Sequence, residues 1–165
     1  MELLYGTVAS LFLGDTGTLS KAAQSSLEFA FDGIVGDRHR GVTRKAWEQT
    51  DKQPGGTERR NERQWSAVAQ EDLDKVSQAL SLSKPLSAGD VAVNLSISGV
   101  PDFSRLPRGT TFTFERGVVL MVEEYNPPCS RMSQYVAEGH EAATGVPLGE
   151  ADFIEASKFS RGLVG

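Results

Sequence analysis

The chain has 165 residues, 39% of them hydrophobic and 24% charged, with a net charge of −5 at pH 7. That length suits a single domain over 1–165 with a sizeable core, and the acidic balance argues against a nucleic-acid partner. No apolar run reaches membrane-spanning length, Met1-Glu2-Leu3-Leu4 lacks the basic-then-apolar pattern of a signal peptide, and a single cysteine cannot form an internal disulfide; a cytoplasmic protein without a membrane partner is expected.

Leu3 to Leu13 is apolar and β-prone and predicts a first strand, with Gly6 as a bulge, followed by a turn at Gly14-Asp15-Thr16-Gly17. Leu27, Phe29 and Phe31 alternate with polar or small residues, the period of a half-buried strand. Gly33, Gly36 and Gly41 then frame a loop whose backbone needs unusual dihedrals or a close approach. From there to about Asn61 the chain is polar, the signature of a functional or mobile loop. Eight Lys and Arg fall between Arg38 and Arg63, with acids interleaved. Two readings stand: a solvated loop of weak ion pairs, or arginine forks gripping a phosphate or carboxylate.

Gln64 to Ala69 predicts a short strand, with Trp65, Ala67 and Ala69 on one face and Val68 on the other. Gln70 opens a helix whose apolar face is Ala69, Leu73, Val76 and Leu80. Val91 to Ile97 predicts a strand in which Asn94 needs a reason, since asparagine is depleted there. Thr110 to Phe114 and Val118 to Glu123 predict a hairpin turning at Gly117. Pro127 and Pro128 stop that run and stiffen the backbone before Cys129. A helix is predicted from Ser130, its N-cap, to Glu138, then a short helix near 151–157 and a last strand over 159–164. The sum is a mainly β, barrel-like domain with a few short helices.

Cys129 is either a small buried hydrophobe or a thiolate on a rigid turn. The chain has two histidines, His39 among the arginines and His140 shortly after the thiol; one cysteine and two distant histidines lack zinc-ligand spacing. Phosphate-loop, nucleophile-elbow and dinucleotide fingerprints are absent. A soft sulfur suits sulfur transfer or a soft or high-valent metal, and arginines suit an anionic cofactor. Nothing recognisably binds flavin, haem or an iron–sulfur cluster, so electrons for any redox role would come from elsewhere.

Gly33-Ile34-Val35-Gly36-Asp37-Arg38-His39 resembles the Gly-x-x-Gly-Asp-x-His loop of the MOSC domain, named for the molybdenum cofactor sulfurase C-terminus. Arg63-Gln64-Trp65, Asn94-Leu95 with Gly99, Leu106 to Thr110, Pro127-Pro128-Cys129 and Arg161-Gly162 resemble further elements of that family in the same order. The resemblance implies a stand-alone, bacterial-type member with a β-barrel-like MOSC fold. It implies molybdenum cofactor (molybdopterin) or sulfur handling, with Cys129 as metal ligand or persulfide carrier. It places Arg38, His39, Arg63, Asn94 and Arg131 at the cofactor. It carries a family association with pyridoxal phosphate. The partner it implies is a redox protein, for reduction of N-hydroxylated substrates, or a sulfur donor protein. A non-catalytic anion-binding module is the remaining alternative. Two departures stand out: Val93 replaces the family's glutamate before Asn94-Leu95, and no Gly-Asp hairpin follows Arg161-Gly162. The second predicts an exposed sheet edge, to be covered by a helix or by the second subunit of a homodimer.

Overall fold

The computed structural model describes residues 3–15, 17–48 and 51–165. Thr16 of the predicted first turn and Gln49 and Thr50 of the predicted polar excursion lie outside the described residues.

The first strand, β1 (Thr7–Leu13), pairs antiparallel with β2 (Ala22–Gln24). Short hairpins follow: β3 (Phe29–Ala30) with β4 (Gly33–Ile34), and β5 (Thr43–Lys45) with β6 (Glu58–Arg60). The polar excursion expected as a loop is therefore built on a paired hairpin. Next come β7 (Ser66–Ala69) and α1 (Gln70–Ala79), which starts where predicted, although Ala69 provides no side-chain cap; Glu71 and Asp72 supply the first-turn acids instead. All four residues of the predicted apolar helix face, Ala69, Leu73, Val76 and Leu80, are buried.

The helix returns the chain to β8 (Leu95–Ser98), parallel to β7, as a crossover of this length permits. This strand starts at Leu95 rather than Val91, because the chain before it is turned: Ala92, at φ 59°, donates its N–H to Gly89 O, and Val93 N donates to Ala88 O. A 3-10 turn at Phe103–Arg105 precedes β9 (Thr111–Thr113) and β10 (Val119–Met121), the predicted hairpin, with Gly117 at φ 83° in its turn. The run through Glu123 is not one strand. Val122 N still donates to Thr110 O, but Glu123 N donates to Val164 O, so the chain changes partner and enters the main sheet as β11 (Glu124–Tyr125). Next are α2 (Ser130–Gly139), α3 (Asp152–Ala156) and β12 (Leu163–Val164).

One six-stranded sheet, ordered β11-β12-β7-β8-β1-β2, organises these elements. The mainly β expectation holds, while the described sheets stay open rather than closing into a barrel: closure needs strands long enough to tilt and stagger, and these span two to seven residues. The edge expected at the last strand is also elsewhere, because β12 is paired on both sides; the free edges are β11 and β2. Each sheet face is buried. Val68 packs with α1, Met132 and Val136 of α2, and Phe153, while Trp65, Ala67 and Ala69 pack with Ile34, Phe103, Leu120 and Val122, the face division predicted for 64–69. No helix among the described residues is long and apolar enough to cross a membrane.

Candidate functional site

Strand β11 ends at Tyr125, and Asn126 N donates to Gly162 O at 2.9 Å, which ties this corner to the segment before β12. Pro127 and Pro128 cannot continue the ladder. The chain therefore turns, and Cys129, with extended backbone at φ −134° and ψ 159°, becomes the N-cap of α2; Ser133 N donates to its carbonyl. The cap is Cys129 rather than the predicted Ser130. The thiol is exposed, so it is not the buried hydrophobe of the bland reading, and it sits at the positive end of a ten-residue helix.

Cys129 opens onto a cleft of about 1300 Å³ between this corner and the β5–β6 hairpin. Arg38, His39, Arg63 and Arg131, all predicted site residues, line the same cleft. Asn94 does not line it. It is 1% exposed and lies in the floor, where Nδ2 donates to Phe12 O (3.1 Å) and Asp37 Oδ2 (2.8 Å) and Oδ1 accepts from Ser66 N and Oγ. Every polar atom of this amide is satisfied, which explains an asparagine beside a core strand.

Asp37 is the hub of that floor. Its carboxylate accepts from Lys21 Nζ at 2.8 Å, Asn94 Nδ2, Gly14 N, His39 N and His39 Nδ1 at 3.1 Å, and both Asp37 and Lys21 side chains are fully buried. Burial opposes the ionised form, but the hydrogen bonds from His39 and the charge of Lys21 prevail, holding the carboxyl well below the usual range. Burial lowers the Lys21 ammonium to about 8 against the pull of Asp37. Burial also lowers His39, with the Asp37 hydrogen bond acting against it. The imidazole is thus neutral at pH 7, and the bond to Asp37 assigns its hydrogen to Nδ1.

The cations divide sharply. In the hairpin, Arg44 grips Asp51 with two bonds (2.7 and 2.9 Å) and Glu62 with a third (2.5 Å), and Arg59 bonds the same two acids. Arg40 pairs with Asp32 and Arg60 with Glu123. Much of the basic run is answered by its own acids. Arg38 ties the loop at the cleft rim, donating to the carbonyls of Thr18, Leu19 and Ser20. Arg63 and Arg161 are different. Arg63 is strongly desolvated, which pushes its pKa down against the pull of Glu124, and its Nη2 donates to Asn126 Oδ1 at 2.6 Å. Arg161 is 6% exposed; Nη2 donates to Val91 O, while Nε and Nη1 have no protein partner among the described residues. Burial and the charge of Arg63 lower it to about 10, with Cys129 close enough to pull the other way, so it remains a cation at neutral pH.

Arg161 lines the cleft with Cys129, and the sequence flagged it only as part of the Arg161-Gly162 pair that resembles the MOSC domain, not as a site residue. Its hydrogen bond goes to Val91 and it feels the charge of Arg63, both distant in the chain, so no local pattern marks it. Gly162 allows the approach: a Cβ there would collide with the Ala67 carbonyl. No cluster of three or more His, Cys, Asp or Glu side chains that could hold a metal occurs among the described residues. The cleft offers one thiol and a set of guanidiniums, a donor set for an anion that brings most of its own metal ligands.

Residues 38–160 match the MOSC domain. The Bacillus subtilis (strain 168) protein YuaD, whose name places it in metal–sulfur cluster biosynthesis, is 30% identical over 126 residues, covering 76% of this chain and 65% of YuaD. The crystal structure of YuaD from Bacillus subtilis superposes with a TM-score of 0.88 at 25% identity, covering 98% of this chain and 88% of that one.

Proposed function

The chain belongs to the MOSC domain family, and from that premise we propose that its cleft binds a molybdenum–pterin cofactor through Cys129 and the Arg161–Arg63 pair. The observation that carries this reading is Arg161: a buried guanidinium with two unpartnered nitrogens, in the same cleft as an exposed thiol. A buried cation without a counterion is costly, and an anionic ligand at that point removes the cost. The fit extends to the donor set, since a soft or high-valent metal is suited by thiolate and Cys129 would supply one.

Cys129 Sγ would hold the metal, and Arg161, Arg63 and Arg131 would hold the phosphate, with Arg38 keeping the rim loop in place. When bound, such a group supplies two-electron redox chemistry, here the reduction of an N-hydroxylated substrate with electrons from a redox partner protein. Of the chain's own groups, neutral His39 presents an unprotonated Nε2 at the cleft wall, able to accept a hydrogen bond or a proton from a ligand, and Asp37 fixes its tautomer. The test is molybdenum content by mass spectrometry after expression in a cofactor-competent host. The native chain should carry metal and Cys129→Ala should not; near-zero metal in both ends this reading.

A second reading is favoured by the exposure of Cys129 at a helix N-terminus, where a donor protein can reach it. Here Cys129 Sγ takes sulfane sulfur from a persulfide: a new S–S bond forms at Sγ, the donor's S–S bond breaks, and the donor leaves as its thiol with the Cys129 proton. Intact mass after incubation with a desulfurase and cysteine should rise by about one sulfur atom in the native chain and not in Cys129→Ala.

A further inference from the structure

We propose that Lys21 is a positioning residue for His39: as the counterion of Asp37, it leaves the imidazole at the cleft wall uncharged, with Nε2 open to accept a hydrogen bond or a proton. Lys21 belongs to none of the motifs singled out in the sequence. It lies one residue before β2, and its backbone N–H donates to Gly89 O at 3.0 Å. Its aliphatic stem passes so close to Gly14 that a Cβ there would come within 2.7 Å of Lys21 Cγ. Its side chain is fully buried, and among the described residues the ammonium meets a single carboxylate, Asp37 Oδ2 at 2.8 Å.

Asp37 divides its two oxygens between neighbours. Oδ2 accepts from Lys21 Nζ, Asn94 Nδ2 (2.8 Å) and Gly14 N (3.3 Å), while Oδ1 accepts from the backbone N–H and Nδ1 of His39. Lys21 and His39 therefore sit on opposite oxygens of one buried anion. One buried negative charge is balanced by one cation; a second cation would be buried without a partner. In an Asp–His pair with no other cation, the carboxylate stabilises the imidazolium that forms when the ring takes a proton. Here that charge is already matched. The charged groups acting on the ring are Asp37, Lys21 and Arg38, two cations against one anion, and those acting on the ammonium are Asp37, Arg38 and Arg161. His39, with a side chain 37% exposed, lines the cleft. An imidazolium there could only donate, beside Arg38, Arg63 and Arg131, whereas the neutral ring accepts. The acceptor role of His39 is the part of the functional reading on which this rests. Molybdenum content and the state of the ring are measured separately and can fail separately.

The test is nuclear magnetic resonance of the two imidazoles in the full chain, with His140→Gln assigning the signals. The native chain should show His39 neutral at pH 7 with its hydrogen on Nδ1. Lys21→Met keeps the length of the stem and removes the charge; His39 should then become the counterion of Asp37, and its proton affinity should rise about tenfold or more. Lys21→Arg keeps the charge and should return the titration toward the native one. An imidazolium in the native chain at pH 7, a Lys21→Met titration equal to the native one, or a rise that Lys21→Arg shares in full overturns the proposal. If Lys21→Met does not fold, the native chain decides. As Lys21 loses its proton at about pH 8, the charge of Asp37 turns onto His39, and the Nδ1 signal should move while that of His140 serves as reference. A His39 signal that is flat from about pH 7 to 10 overturns the proposal as well.

Discussion

Two groups of arginines, one in the hairpin that walls the cleft and one at the cleft's thiol corner, differ in what answers their charge. Arg44 and Arg59 of the β5–β6 hairpin are neutralised by Asp51 and Glu62, four charges in one hydrogen-bonded set. Arg63 and Arg161, by the thiol, share no carboxylate partner within bonding distance among the described residues, and two nitrogens of Arg161 are unbonded. The hairpin cations hold shape and the corner cations hold capacity for a ligand. Counting basic residues along the chain points at the first group; pairing and burial point at the second.

The largest effect is expected in the floor that both groups stand on. Asp37→Ala leaves the fully buried Lys21 ammonium without its counterion and should cost about 3–5 kcal/mol in urea unfolding. A loss below about 1 kcal/mol would mean that the floor is not a buried ion pair. Next comes a matched pair of substitutions that sets the two arginine groups against each other. Arg44→Met strands Asp51 and Glu62 with Arg59 alone and should cost about 1–3 kcal/mol while leaving phosphate binding to the cleft unchanged. Arg161→Met removes a cation with no acid partner, so stability should hold or rise, and phosphate binding should fall at least tenfold. The opposite pattern would reverse the assignment of structural and ligand-holding arginines.

A smaller effect is expected with pH. His39 is lowered by burial below its ordinary 6.5, so between that value and its folded one the unfolded chain binds more protons. Stability should therefore fall as pH drops below about 6.5, and His39→Gln should flatten that part of the profile. Asp37 adds a second decline, because its depressed pKa contributes stability above the unfolded value of about 3.9 that is lost at lower pH. A profile for the native chain that is flat from pH 7 to 5 would contradict a half-buried His39 held neutral at pH 7. The smallest effect is at the rim. Arg60, with a side chain 65% exposed, pairs with Glu123, and Arg60→Ala should cost no more than about 1 kcal/mol, decreasing with salt.

Elements with a strong local period were legible in the sequence. The apolar spacing of Leu73, Val76 and Leu80 predicts α1, alternation predicts the faces of β7, and Gly117 predicts the hairpin turn. Elements decided by partner choice were not. The run from Val118 to Glu123 has one composition but two sets of backbone partners, Phe114 and Thr110 and then Val164. The polar stretch after Gly41 became a hairpin because its arginines and acids meet across the strands, an order of charges that reads equally well as a solvated loop.

The same division holds at the site. The sequence by itself determined that the thiol is carried on a stiff proline turn after a β run and before a helix, because proline chemistry and helical spacing act over a few residues. It also placed Asp37, Arg38 and His39 in a glycine loop resembling that of the MOSC domain. Only the tertiary structure decided which arginines are spent on carboxylates and which are free, that Asn94 serves the floor rather than the wall, and that Arg161 is the buried cation beside Cys129. Burial and charge pairing depend on groups far away in the chain, Val91 lying 70 residues from Arg161 and Asn126 lying 63 from Arg63, and such distances leave no local pattern.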